Sequence, residues 1–145
     1  MNENVRKYRE QILKIATDMS DWIKAETKDF PELYINSWRF TDRYLNWGAP
    51  LCPTIKGNGI VGAIDKYGQG FYIHRGRVYE CSHKPLGTMD DDKDVTDIFL
   101  TNDKFCDYWT LVAGIEEIYR NWSSIKADVK EKKAQYNSVL SYNGL

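Results

Sequence analysis

From Val5 onward, apolar side chains recur at Val5, Tyr8, Ile12, Ile15, Met19 and Trp22, in alternating steps of three and four with Arg, Lys and Glu between them. Such a stripe winds along one face of an α-helix, and it predicts a helix over residues 1–28. A second series, Ile115, Ile118, Trp122, Ile125 and Val129, lapses at Lys132 and resumes at Tyr136 and Val139, predicting a helix over 103–140. A mean step of about 3.5 residues keeps each stripe facing a partner helix along a gentle supercoil. Two arrangements satisfy the pair: a helix hairpin that buries its own seams, or a bundle formed between copies. Trp22 and Trp122 are bulky for a two-helix interface and favour further partners. Tyr8, Ile12, Ile15, Met19, Trp22, Ile118, Trp122, Ile125 and Val129 are therefore assigned to an assembly seam.

Between the helices the punctuation changes. Pro31 opens and Gly48 and Pro50 close a segment rich in aromatics, which predicts a short helix over 31–47. From about Ile55 the runs Ile60–Ile64, Gly70–His74 and Arg77–Cys81 read as three short strands, with Arg75-Gly76 as a tight hairpin turn. Val95–Leu100 is expected to add a further strand to this β module, which spans 55–100. The predicted fold is α+β, a single domain over 1–145. Its N- and C-terminal helices, with heptad-like seams, pack around a small antiparallel β meander.

Composition narrows the possible roles. Twenty basic side chains against 21 acidic ones create no field that would steer the chain to nucleic acid or an anionic membrane. No apolar run is long enough to span a bilayer, and charges throughout the first thirty residues exclude a signal peptide's apolar core. These features place the chain in the cytoplasm of the cell that makes it, with Cys52, Cys81 and Cys106 reduced. Aromatic content is high, with five Trp and ten Tyr in 145 residues. Some of these rings are expected to face outward as contact residues.

The hairpin region reads Tyr67-x-x-Gly70-x-x-Ile73-x-x-Gly76-x-x-Tyr79-x-Cys81, followed later by Tyr108-Trp109-Thr110-Leu111-Val112. This spacing resembles the small chitin-binding module of bacterial chitinases, similar versions of which recur in phage tail and fibre proteins. The resemblance covers some forty residues and implies a three-stranded mini-sheet built around aromatics. It points to Tyr79 and Trp109 as sugar-stacking rings, to which strand alternation adds Tyr72. Where that family has an aromatic-Asn-Gly turn, this chain has the shorter His74-Arg75-Gly76. Arg75 and Arg77 beside Tyr72 and Tyr79 also suit a phosphate and a base held together.

Catalytic and metal-binding patterns are weak. Cys81-Ser82-His83 places thiol and imidazole on one strand face without aiming them at each other, and no glycine-rich oxyanion element flanks them. His74, Cys81, His83 and Cys106 lack the paired Cys-x-x-Cys spacing of a zinc site. The run Asp90-Asp91-Asp92-Lys93-Asp94 lacks the ligand alternation of a calcium loop. Lys126, Lys130, Lys132 and Lys133 complement the negative end of a helix dipole without any nucleic acid.

The sequence thus predicts no catalytic residue, cofactor or metal. It predicts a non-enzymatic structural subunit, of a bacteriophage tail, neck or capsid, that contacts itself and other subunits of an assembly. The rival is a small soluble module for a glycan or a signalling nucleotide, of the anti-defence type.

Overall fold

The computed structural model describes residues 2–28, 34–35, 52–56, 59–64, 69–81, 92–102 and 108–142. Within them the chain forms α1 (Glu3–Glu26), β1 (Tyr34–Ile35), β2 (Cys52–Lys56), β3 (Val61–Ile64), β4 (Gly70–His74) and β5 (Arg77–Cys81). These are followed by β6 (Lys93–Asp94), α2 (Thr96–Thr101), α3 (Tyr108–Arg120) and α4 (Trp122–Tyr142). The six strands pair antiparallel in chain order. The fold is α+β, helices at both ends enclosing an antiparallel meander.

α1 starts where the Asn2 side chain accepts a hydrogen bond from the Asn4 backbone N–H at 2.8 Å, satisfying a donor that the helix itself cannot. Its stripe is set by burial: Ile12, Leu13, Ala16, Met19 and Ile23 all enter the core. They meet one face of the sheet, formed by Ile55, Val61, Ala63, Phe71, Ile73 and Val78, together with Leu111, Val112, Ile115 and Ile118 of α3. The opposite sheet face carries a second cluster, Ile60, Ile64, Tyr72 and Cys81, with Tyr79 packed against it. Alternation along the strands divides the two sets, and β3 is buried on both faces.

The hairpin turn takes the form its residues allow. Arg75 and Gly76 both have positive φ, 52° and 75°, as a two-residue type I′ turn requires, and His74 pairs with Arg77 across it. At the far edge, β6 ends in a side-chain network. The Val78 N–H donates to Thr96 Oγ1 at 2.8 Å, and that hydroxyl donates in turn to Asp94 Oδ1 at 2.6 Å. Thr96 thereby takes over from the β ladder where the strand gives way to α2.

Three expectations are corrected. Val95–Leu100 is not a strand, because alternation would put Asp97 on one face with Val95 and Phe99. A helical turn instead buries Val95 and Phe99 four residues apart and leaves Asp97 exposed. The helix expected over 103–140 is interrupted at Asn121. The Asn121 backbone N–H is shared between the carbonyls of Glu117 and Ile118, at 3.1 and 3.2 Å, and its side-chain amide donates to Glu117 at 2.9 Å. This extra donor competes for helix carbonyls. The short helix expected over 31–47 contains a strand at Tyr34–Ile35, paired with Ile55 and Lys56; the rest of that span lies outside the described residues.

Candidate functional site

The structure brings Tyr72 and Tyr79 together and sets Trp109 apart from them. Tyr72 is fully buried, its hydroxyl donates to Asp92 Oδ2 at 2.6 Å, and its ring stacks on Tyr79 with centroids 5.4 Å apart. Burial and the neighbouring Asp92 carboxylate push the Tyr72 phenol far above its ordinary range, so it is a permanent donor. Tyr72 and Tyr79 face each other across the β4–β5 pair, and that ring face is closed to a sugar or base. Gly62, the cross-strand neighbour of Tyr72, leaves space for the ring, since a β-carbon there would lie 2.7 Å from Tyr72 Cα.

Trp109 lies elsewhere. It belongs to α3 and packs, partly buried, against the helix-side core, whereas Tyr72 and Tyr79 belong to the opposite sheet face. Arg75 projects at the turn, and Arg77 pairs with Asp94. Asp94 is held down to about 2, first by Arg77 and then by the Thr96 hydroxyl and N–H. The five candidate ligand residues are thus distributed over both sheet faces, the turn and the edge.

Cys81 is a buried thiol that donates to the Gly70 carbonyl at 3.6 Å. His74 Nδ1 is buried, and no hydrogen-bond partner for it occurs among the described residues. Burial, then Arg75 and Lys24, lower the His74 pKa, so the imidazole stays neutral. His83, Cys106, Asp90 and Asp91 lie outside the described residues. Among the described residues no group of His, Cys, Asp and Glu is placed to hold a metal ion. No helix among them is long and apolar enough to cross a membrane.

The assembly seam is largely used inside the chain. Ile12, Met19, Ile118, Ile125 and Val129 are buried, and Ile15, Trp22 and Trp122 pack partly buried against the same core. Trp22 and Trp122 meet edge to face with centroids 5.4 Å apart, and the Lys126 ammonium lies 6.0 Å from each ring. Tyr8 is half-exposed and donates to Glu116; burial first, and then Glu116, raises its phenol to about 12. These side chains join α1 to α3 and α4 within one copy, as in the first of the two arrangements that the paired stripes allow.

The far end of α4 is more exposed than its start. The helix is anchored by Ile125 and Val129, at 2 % and 0 % exposure, and Lys133 reaches Glu26 of α1 at 3.8 Å. Beyond that point the same stripe continues to Tyr136 and Val139, at 41 % and 59 % exposure. Every residue from Ala134 to Val139 is exposed. The sequence marked this segment as a seam but not that the first half would be internal and the second external.

A buried cation also escaped the sequence pattern. Arg9 is 1 % exposed, donates to the carbonyls of Phe99 and Asn102, the latter at 2.7 Å, and lies 5.2 Å from the Phe99 ring. It ties α1 to the end of α2, a structural role. Compared with protein-family models, with curated proteins and with solved structures, the chain matches none.

Proposed function

We propose that this chain is a non-enzymatic assembly subunit that acts through protein–protein contacts, with the distal half of α4 as its contact element. The observation that carries this reading is the divided stripe of α4. Its first half is core, while the second presents Tyr136 and Val139 to solvent on a helix already fixed at its base. A partner that covers this face would bury apolar area that now meets water. The virion setting, a phage tail, neck or capsid, rests on the resemblance of the hairpin region alone. The glycan or nucleotide reading has less support, because Tyr72 and Tyr79 are engaged with each other and Trp109 lies apart from them.

The test places a photo-crosslinking side chain at Tyr136, and separately at the exposed Lys14 of α1, in the native cellular setting. A discrete adduct from position 136 with no counterpart from position 14 is expected. A strictly monomeric protein that gives no adduct from position 136 would sink the reading.

A further inference from the structure

We propose that the corner where the β4–β5 turn meets α1 binds a phosphoryl group or a similar oxyanion, held by Lys24, Arg75 and His74. This site is separate from α4 and stands whether or not α4 is a contact element. Thr17, Ser20 and Lys24 recur at steps of three and four, so they lie along one line of α1. That line runs past two glycines of the sheet region. A β-carbon on Gly76, in the turn, would come 3.8 Å from Thr17 Oγ1, and one on Gly59 would come 3.4 Å from the Lys24 β-carbon. The Ser20 hydroxyl donates to the Gly59 carbonyl and fixes the helix there. The register that pairs Val61 with Ile73 carries Gly59 and Ile60 alongside the end of β4, where His74 stands next to the turn residue Arg75. Helix and turn thus deliver Lys24 and Arg75 to the same imidazole.

The charge at this corner is one-sided. Lys24 and Arg75 are exposed and enter no ion pair among the described residues, whereas Arg6, Lys14, Arg77 and Lys133 each have a carboxylate. Arg77, opposite His74 across the hairpin, is taken by Asp94. On α1, Asp18 is held by Lys14, which leaves Asp21, one turn before Lys24, as the neighbouring carboxylate. Arg75 and Lys24 are the charges that act on His74, and both oppose its protonation. His74 Nδ1 is buried with no hydrogen-bond partner among the described residues, an uncommon and unfavourable state for a polar atom. An oxyanion answers these features together. It offers acceptors to the guanidinium fork and the lysine point charge. By neutralising both it makes a protonated imidazole, a donor at each ring nitrogen, favourable. A metal cation would be repelled by the same two charges.

The experiment titrates the full chain with inorganic phosphate, with sulfate and, at equal ionic strength, with sodium chloride. The His74 imidazole is followed by NMR, its signals assigned through His74→Gln. Phosphate and sulfate should shift them saturably, with a dissociation constant on the order of a millimolar for so exposed a site, and chloride should not. Lys24→Gln and Arg75→Asn should each weaken binding about tenfold, the loss of one charge-assisted contact. Asparagine at position 75 keeps the positive φ that the turn needs. Lys14→Gln, on the same helix but paired with Asp18, should leave binding unchanged. Sulfate stays a dianion near neutral pH, so its affinity should rise about threefold between about pH 7.5 and 6, and stay flat in His74→Gln, because the imidazole charges on binding. The proposal fails if neither anion shifts His74 saturably, if chloride reproduces the shift, or if Lys24→Gln and Arg75→Asn bind as well as the unchanged chain. A glutamate-rich peptide that binds this corner where phosphate and sulfate do not would overturn it too. O-phosphoserine binding more tightly than inorganic phosphate would mark the phosphoryl group as one carried on a larger molecule, and the reverse order would mark the free ion.

Discussion

Gly114 of α3 faces Ala63 of β3 so closely that a β-carbon on Gly114 would lie 2.8 Å from the Ala63 methyl. This contact sets how near the helix lies to the middle of the sheet. Gly114→Ala gains about 1 kcal/mol of helix propensity, but overpacking costs about 1–3 kcal/mol. The steric cost should win, because the opposing atom is a β-carbon bonded directly to strand backbone and cannot rotate away. The variant should melt a few degrees lower, at about 3 °C per kcal/mol. Ala63→Gly on the same chain should recover part of the loss, as a double-mutant cycle by thermal melting will show.

Removing the Tyr72 hydroxyl should be costly to the fold. Tyr72→Phe leaves Asp92 without this donor and should destabilise by about 1–3 kcal/mol. Denaturant midpoints measure it. A neutral result would mean that water replaces the hydroxyl and that the β4–β5 region is open.

Acid should weaken the fold in two steps. His74 has a lowered pKa in the folded chain, so the unfolded state takes up its proton first, and stability falls as pH drops below the ordinary value of 6.5. His74→Gln should flatten the slope of urea stability between about pH 7 and 5. Asp94 stabilises fully above its ordinary 3.8, and that contribution is lost as pH falls toward about 2. Arg77→Gln should bring the Asp94 titration, followed by carboxyl carbon NMR, back toward the ordinary range.

The Trp22–Trp122 pair should behave as one unit. Either tryptophan changed to alanine should cost about 3–5 kcal/mol if the site cannot collapse, less here because both rings are partly exposed. The coupling between the two substitutions should be about 0.5–1.5 kcal/mol, read from chemical unfolding. Additive losses would mean that the rings are neighbours without mutual stabilisation.

The parts of this fold legible in the sequence are those where one local rule acts alone. The stripe of α1 follows from burying a single face, and Arg75-Gly76 specifies a turn that few other pairs can adopt. Legibility fails where a contact from far along the chain decides the outcome. Val95–Leu100 has strand-like composition, yet Thr96 satisfies both the Val78 N–H and Asp94 and turns the segment into a helix. Asn121 sits inside an unbroken apolar period, so nothing in the spacing marks the interruption. Arg9 occupies a place in the pattern that polar solvent-facing residues share, and only the carbonyls of Phe99 and Asn102 reveal its burial. The candidate site was half-readable: the seam was visible, but which turns of it meet solvent depends on where α1 ends.

The long reach between Tyr8 and Glu116, and between Arg9 and Asn102, has a consequence for biosynthesis. The meander joins each strand to its sequence neighbour, so the sheet can form by local hairpin closures while the chain is still emerging from the ribosome. α1 packs on the sheet through β3 and β4, but its other partners, in α2 and α3, lie about ninety or more residues later. Until those emerge, the sheet alone covers its apolar stripe, and only in part. The nascent chain therefore carries a helix whose apolar stripe is incompletely covered until α2 and α3 are made, and this interval is when a holdase chaperone matters most.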